Sequence, residues 1–149
     1  MHQVRAICFA LLLFAGPFCL GRDLAVVVNS ANPTSALTSA ELAKLLKAEV
    51  RSWPDGKSVR VFLTDPGSAD TRMILQRAYK MAPEEIRNLV SARKAEIEIV
   101  GSDEIVLRMV DNNPGAIGIV NVYAINSHVK VLKVDDKLPM EPGYLLHGN

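Results

Sequence analysis

The sequence predicts an α/β domain in which a mixed, mostly parallel sheet is flanked by helices. Apolar segments with strand character alternate with helical segments, and that order is typical of α/β layers. Leu24–Asn29 is a continuous apolar run, as in strands that a parallel sheet buries on both faces. Helix start signals at Thr38 and Ser102 separate such strands. In sheets of this kind, ligands bind outside the carboxyl ends of strands, where helices begin.

The N-terminal segment predicts a secretory signal peptide over residues 1–21. Arg5 precedes a short apolar run at residues 6–15, and Cys19 and Gly21 are small residues near its end. The run is shorter than the roughly 20 apolar residues that a membrane span needs. We therefore expect export and cleavage, a periplasmic or secreted location and no membrane span in the mature chain.

The predicted mature domain, residues 22–149, carries no thiol and no net charge. Removing 21 of 149 residues leaves 128 and removes both cysteines, Cys8 and Cys19. A lipid anchor at Cys19 is disfavoured, because the bulky Phe18 stands where a small residue is needed. Removing Arg5 from the 17 basic residues leaves 16, which equals the 16 acidic residues. This balance argues against a nucleic-acid binder.

The first helix is marked by a capping box. Thr38 stands at the N-cap and Glu41 follows three residues later, while Leu37 and Leu42 can form a hydrophobic staple around this start. Leu42 and Leu46 share one face at helical spacing, so we expect that face to be buried.

The middle of the chain predicts a strand, a polar loop and two helices. Residues 59–64 alternate as in a strand and follow the turn SWPDGKS. A helix over about residues 69–81 places Ile74 and Ala78 on one face, and a second begins at Pro83, a residue that suits the first helical position. The polar loop between the strand and the first of these helices then lies at a strand's carboxyl end.

The last third predicts a strand in AEIEIV, a helix capped by Ser102, and strands in AIGIVNV and VKVLKV. The tail, residues 135–149, is too rich in Pro and Gly for regular structure. Gly115 and Gly118 allow two interpretations: close backbone approach to a ligand, or a turn and a tight packing point in a strand.

Enzyme and metal signatures are absent from the mature sequence. It has no nucleophile elbow, no Walker loop and no dinucleotide glycine fingerprint. His128 and His147 lie far apart, and neither has an acidic or cysteine neighbour at metal-ligand spacing. We expect no catalytic residue, no metal and no cofactor.

The stretch DPGSADTR, residues 65–72, allows two interpretations. The first N–H groups of a helix lack internal partners and lie at the positive end of its dipole, so they attract anions. Ser68 and Thr71 would add hydroxyl donors and Arg72 a full charge. In the other interpretation Ser68 only caps the helix. Asp70 favours this second interpretation, because a carboxylate in the first turn repels another anion.

Four segments in order resemble the substrate-binding proteins of phosphate ABC transporters, especially a short form of that domain. They are LAVVVNSANPTSALTSAELAKLL, SWPDGKSVRVFLTDPGSADTR, NPGAIGIV and KLPMEPGYLL, which together span Leu24 to Leu146. The resemblance implies one lobe of a type 2 periplasmic-binding-protein-like fold, a periplasmic location and an inorganic oxyanion as ligand.

The resemblance also places the family's anion loop, Arg-x-Asp-x-Ser-Gly-Thr, on the stretch DPGSADTR. Asp65 and Ser68 match the family's Asp and Ser, and Thr71 matches its Thr if one extra residue is allowed. The Gly position holds Ala69 or Asp70.

The Arg position of that loop holds Leu63 or Thr64, so the family's cationic clamp is missing and Arg72 would have to replace it. Binding proteins of this type also need two lobes, whereas the mature chain has the length of one. A single lobe offers half a cleft, which leaves three outcomes: two copies pair, binding is weak, or the lobe has become an interaction module.

We therefore expect a solute-binding-like domain for phosphate or a related oxyanion, with weak or vestigial binding. The expected partners are an ABC transporter or a sensor, and a homodimer is one way to complete the cleft. The alternative is a periplasmic protein–protein or transporter accessory module without a small ligand. The candidate contacts are Ser68, Thr71 and Arg72, the backbone at Gly67 and Ala69, and Ser35 from a neighbouring strand end.

Overall fold

The computed structural model describes residues 22–148, and the predicted signal peptide at residues 1–21 lies outside them. Within this range the strands are β1 (Leu24–Asn29), β2 (Ala36–Leu37), β3 (Arg60–Leu63), β4 (Ile97–Ile99), β5 (Ala116–Asn121), β6 (Val129–Val131) and β7 (Lys133–Val134). The helices are α1 (Ser39–Leu46), α2 (Arg72–Tyr79), α3 (Pro83–Ala92) and α4 (Asp103–Asn112), with a 3-10 turn at Val122–Ala124. Within the described range, none of these helices has the length and apolar character that a bilayer crossing requires.

Five strands form one mixed sheet in the order β4-β3-β5-β1-β6. β3 runs parallel to β4 and β5, whereas β1 runs antiparallel to β5 and β6. β2 and β7 form a separate parallel pair. The five-stranded sheet has two parallel and two antiparallel pairings, and with β2–β7 three of the five pairings are parallel. The predicted mixed α/β fold, a mostly parallel arrangement flanked by helices, is confirmed.

β1 is buried as its apolar run predicts, but its neighbours run in the other direction. All six of its residues are buried, and both flanking strands are antiparallel to it. A continuous apolar run indicates burial on both faces and carries no information about strand direction. Because Leu24 pairs with Asn121, β1 begins at the edge of the sheet where β3 and β5 end. We call this the carboxyl edge.

The helices divide between the two faces of the sheet. α1, α2 and α3 cover the face on which β1 presents Val26 and Val28. α4 covers the opposite face, where Val106 packs with Val27 and Phe62. The alternation of side chains along a strand produces this division. The helices cover both faces of the sheet but not its carboxyl edge, at which α2 and α4 begin.

The predicted start of α1 is confirmed. The Glu41 N–H donates to Thr38 Oγ1 at 3.1 Å, and the Thr38 hydroxyl donates to Glu41 Oε1 at 3.1 Å. Leu37 and Leu42 on either side of the cap are both buried. The box therefore fixes where the helix leaves the preceding strand.

The other predicted elements are confirmed with two adjustments. α3 begins at Pro83, and α4 is capped by the Ser102 hydroxyl, which accepts from Ile105 N at 3.3 Å. The segment VKVLKV forms two short strands in different sheets, with Leu132 between them. α2 begins at Arg72, three residues later than the sequence predicts.

The two glycines of NPGAIGIV are close-packing points within the fold. A Cβ at Gly115 would meet the Ser58 carbonyl oxygen at 1.9 Å, and one at Gly118 would meet Val106 Cγ1 at 2.5 Å. Gly118 therefore lets α4 lie directly on β5. Both contacts support the packing interpretation.

Candidate functional site

The loop between β3 and α2 lies at the carboxyl edge of the sheet and consists of two successive turns. In the first, the Gly67 N–H donates to Asp65 Oδ1 at 2.8 Å and the Ser68 N–H donates to the Asp65 carbonyl at 3.2 Å. In the second, the Ser68 carbonyl accepts from Thr71 N at 3.2 Å and from Arg72 N at 2.9 Å. These turns provide acceptors for the N–H groups of Gly67, Ser68, Thr71 and Arg72, and regular helix begins at Arg72.

Ser68 is not the cap of α2. The N-cap is Thr71, and its side chain makes no capping bond within the described chain. Instead, Thr71 Oγ1 is buried and has no hydrogen-bond partner among residues 22–148. A buried hydroxyl without a partner is costly, so an incoming acceptor or donor at this atom would be stabilised.

Two adjoining cavities at the carboxyl edge share Leu24, Asp70, Thr71 and Asn121. We call them together the edge cleft. The smaller cavity has a volume of about 170 Å³ and the larger about 520 Å³. The further polar residues of the smaller cavity are Thr64, Ser68 and Asp103. Those of the larger cavity are Arg22 and Arg77.

The edge cleft contains charges of both signs. Asp70 lines both cavities, and Asp103 lines the smaller one, where its Oδ2 accepts from Asn121 N at 3.0 Å. Arg77 is held in place because its guanidinium donates to the His147 carbonyl. The smaller cavity is lined by carboxylates and hydroxyls, and the cations lie only in the larger one.

The structure brings three of the six candidate residues together. Ser68 and Thr71 line the smaller cavity, and Ala69 and Thr71 line the larger one. Gly67 and Arg72 instead line a separate groove beside α3, so Arg72 does not take the place of the family arginine next to Thr71.

Ser35 lies apart from the other candidates. The carboxyl end of β1 lies at the opposite edge of the sheet from that of β3, because β1 runs antiparallel to β5 while β3 runs parallel to it. The loop that follows β1 leads to β2, where the Ser35 carbonyl accepts from Lys133 N at 3.1 Å. The expectation that Ser35 comes from a neighbouring strand end at the same edge is therefore wrong.

The sequence does not predict four of the charged or amide side chains of the edge cleft: Arg22, Arg77, Asp103 and Asn121. Arg77 has a signal in the sequence, since it stands one helical turn after Met73 and Ile74, which line the same cavity. Asp103 follows the predicted cap Ser102 directly. Arg22 and Asn121 reach the cleft only because β1 begins where β5 ends, and pairing of this kind has no local signal.

The two histidines of residues 22–148 differ in their surroundings. His147 Nδ1 lies 2.7 Å from Oδ1 of the buried Asp23, although the imidazole side chain is 56% exposed. His128 is exposed, and its N–H donates to Asn126 Oδ1 at 3.0 Å. Across residues 22–148, no three His, Cys, Asp or Glu side chains are grouped closely enough to hold a metal ion.

The fold resembles solved phosphate receptors. An ABC-type phosphate transport receptor from Vibrio cholerae matches with a TM-score of 0.69 and 21% identity, covering 85% of this chain and 54% of its own. PstS from Borrelia burgdorferi matches with a TM-score of 0.68 and 18% identity, covering 86% and 55%. A phosphate-binding protein from Stenotrophomonas maltophilia gives 0.64 and 16%, covering 80% and 40%.

The chain thus spans about half the length of these structures. A comparison with curated proteins finds no match. A family profile described as "PBP superfamily domain" matches residues 14–144, which is most of the chain. The chain belongs to the PBP superfamily domain family.

Proposed function

We propose that this chain is a periplasmic solute-binding domain whose edge cleft takes a small oxyanion such as phosphate. The observation that carries the proposal is the buried hydroxyl of Thr71, which has no partner within the described chain and stands at the start of α2. The helix dipole places partial positive charge at that position. The phosphate-transport proteins among the structural neighbours support the same ligand class.

Arg22 and Arg77 supply the positive charge that the loop itself lacks. Both line the larger cavity together with Thr71 and Ala69. Asn121 adds a donor, because its Oδ1 accepts from Tyr123 N at 3.0 Å while its Nδ2 has no bond within residues 22–148. We place the anion in the larger cavity, of about 520 Å³, because Thr71 and both cations line it, whereas the smaller cavity has two carboxylates and no cation.

Two carboxylates keep the affinity low. Asp70 and Asp103 line the same cleft and repel an anion. Two charge-assisted bonds from Arg22 and Arg77 would contribute about 1.5–3 kcal/mol each. Association costs at least about 4 kcal/mol in lost freedom, and millimolar binding needs about 4 kcal/mol net. The neutral donors of Thr71 and Asn121 add about 0.5–1.5 kcal/mol each. The sum then reaches millimolar affinity at best in a single lobe.

Calorimetric titration of the purified protein with phosphate and with sulfate tests the proposal. Asp70→Gly should tighten the phosphate Kd about tenfold, which corresponds to about 1.4 kcal/mol. Arg77→Ala should weaken phosphate binding below detection, whereas Arg108→Ala, on α4 across the sheet, should leave it unchanged. Arg72→Ala should also have little effect on phosphate affinity, because Arg72 lines the groove beside α3 and not the edge cleft. If neither the unmodified protein nor Asp70→Gly bound either anion at tens of millimolar, the proposal would be wrong.

The second candidate function is a protein-interaction module, and exposed apolar side chains favour it. Met73, Tyr123 and Met140 are 65%, 67% and 66% exposed. Each lies by the carboxyl edge: Met73 lines the edge cleft, Tyr123 follows Asn121, and Met140 N donates to Asp23 Oδ2 at 2.6 Å. A covering lobe, from a second copy or from a transporter or sensor partner, would bury them. Sedimentation velocity with and without phosphate would show whether a homodimer closes the cleft.

A further inference from the structure

A second groove, of about 550 Å³, lies between α3 and the edge strand β4. It shares no lining residue with the edge cleft. One wall is a face of α3 and of the turn after it, formed by Arg87, Val90, Ser91 and Lys94 at helical spacing. The other wall is β4, and Asp65–Gly67 with Arg72 close one end. We call this the β4 groove.

β4 is an outermost strand, and part of its backbone faces the groove side unpaired. On the inner side, the Glu96 carbonyl accepts from Val61 N and the Val100 N–H donates to the Leu63 carbonyl, each at 2.8 Å. Backbone groups alternate along a strand, so those of Ile97 and Ile99 point away from β3. The Ile97 N–H donates to the Arg93 carbonyl at 2.8 Å, which leaves the Ile97 carbonyl and both groups of Ile99 to the open edge.

The side chains around this edge combine apolar surface with excess positive charge. Ile99 is 40% exposed. Arg72, Arg87 and Lys94 are exposed and form no ion pair within residues 22–148.

Of the two carboxylates in the β4 groove, Glu98 is paired with a cation and Asp65 only closes a local turn. Glu98 Oε2 lies 3.1 Å from Arg60 Nη2, and Asp65 Oδ1 accepts from Gly67 N. Three unpaired cations against the single unpaired carboxylate of Asp65 leave the β4 groove with a net positive charge, and its complement is an acidic ligand.

We propose that the β4 groove binds an extended, acidic peptide segment of a partner protein, which adds a strand to β4. Main-chain hydrogen bonds to the Ile97 carbonyl and to Ile99 would supply affinity, as in other cases of strand addition to a sheet edge. Acidic side chains of the segment would pair with Arg87 and Lys94, and its alternate apolar side chains would cover Val90 and Ile99. The proposal is independent of anion binding in the edge cleft.

A pair of labelled peptides tests the proposal by fluorescence polarisation at low salt. The first is a seven-residue peptide of alternating glutamate and valine, and the second has lysine in place of glutamate. We expect the purified protein to bind the glutamate peptide at least tenfold more tightly than the lysine peptide. Raised salt should weaken this binding, because the pairs are exposed. In an NMR titration, the Ile99 amide should shift with the peptide.

Three variants separate the contribution of the groove's cations from that of the backbone edge of β4. The double variant Arg87→Glu with Lys94→Glu should no longer bind the glutamate peptide and should bind the lysine peptide instead. Unfolding could not produce such a reversal of preference. Arg108→Glu, on the opposite face of the sheet, is the matched control and should change neither. Ile99→Pro removes the outward N–H without removing a hydrogen bond to β3. It should weaken binding of the glutamate peptide at least tenfold.

Two results would overturn the proposal. One is binding of free glutamate or citrate as tightly as the peptide, which would make the groove a small-anion pocket. The other is unchanged peptide affinity in Ile99→Pro with a native circular dichroism spectrum, since no strand would then be added.

Discussion

Buried polar residues hold the carboxyl edge together. Asp23 is 3% exposed, and its Oδ2 accepts from Met140 N at 2.6 Å while Oδ1 lies 2.7 Å from His147 Nδ1. The Tyr144 hydroxyl donates to the Leu24 carbonyl at 2.8 Å. Burial, and secondarily the charge of Asp23, raise the pKa of Tyr144 far above its ordinary value. These contacts attach an irregular tail to the first strand, so the tail is part of the edge cleft.

Tyr79 carries a prediction at this scale. Its hydroxyl is buried without a partner in the described chain, and burial raises its pKa far above the ordinary 10.0. At neutral pH, Tyr79→Phe should leave the free energy of unfolding unchanged or raise it by about 1 kcal/mol, because an unsatisfied group is removed.

The same substitution should change how the free energy of unfolding depends on pH in the alkaline range. Because the pKa of Tyr79 is higher in the folded than in the unfolded chain, its ionisation does not affect stability below about pH 10 and destabilises the fold increasingly as the pH rises above that value. Above pH 10, the free energy of unfolding of Tyr79→Phe should therefore fall by about 1.4 kcal/mol less per pH unit than that of the unmodified protein. Urea denaturation from pH 7 to 11 measures this, with the exposed Tyr123→Phe as control. Equal alkaline losses in Tyr79→Phe and the unmodified protein would contradict it.

Secondary-structure elements here depend on short-range signals and close packing. For α1 the signal is the capping box, so Thr38→Ala should lower the free energy of unfolding by about 1 kcal/mol. Phosphate affinity should not change, because Thr38 does not line the edge cleft. Chemical denaturation measures the first effect, with Thr34→Ala in the preceding loop as the control. A Thr38→Ala variant as stable as the control would mean that the cap does not matter.

For β5 and α4 the critical contact is Gly118. A Cβ there would stand 2.5 Å from Val106 Cγ1 and 3.1 Å from Val110 Cγ2. Gly118→Ala should therefore force α4 away from the sheet and cost about 1–3 kcal/mol. Thermal unfolding of Gly118→Ala alone and combined with Val106→Ala checks the cause. Space freed at residue 106 should recover part of the loss, and a double variant with purely additive losses would exclude this clash.

The sequence predicted elements well where one local signal decides them. Thr38, Pro83 and Ser102 each mark a helix start that the structure confirms. The start of α2 was predicted too early, because the turns around Ser68 depend on carbonyl acceptors that no residue type announces. Strand direction at β1 had no local signal either, and the misplacement of Ser35 followed from it. The proposed site therefore includes the loop that the sequence indicates, whereas its cations, Arg22 and Arg77, have no such local signal for this place.

At the scale of the whole molecule, one lobe presents its open edge to solvent. The chain spans about half the length of its structural neighbours, and three large, exposed apolar side chains lie by its carboxyl edge. Such an edge is typical of a surface that another lobe or protein covers. The two candidate functions therefore use the same surface, and they differ in whether an anion is held beneath the cover.

At the scale of the whole molecule, the N-terminal sequence also predicts that the chain is exported and cleaved. The basic residue Arg5, the short apolar run and the small residues near Gly21 predict cleavage before Arg22. Intact-mass measurement of the protein recovered from the periplasm or medium should give a chain that starts at or near Arg22. A mass that includes Met1, or a lipid at Cys19, would contradict this.

The two ends of the described chain meet at one place, and this has a consequence for how such a lobe can be duplicated. The Gly148 N–H donates to Asp23 Oδ1 at 3.2 Å, and Arg22 and Gly148 both line the edge cleft. A tandem fusion of two copies of residues 22–148 would thus need only a few linker residues, and its second copy would begin at the mouth of the first copy's cleft. A short tether of this kind gives an effective concentration of about a millimolar or more, enough to favour closure between surfaces too weak to associate freely. Duplication followed by fusion is therefore a short route from an open half-site to a hinged, two-lobed clamp.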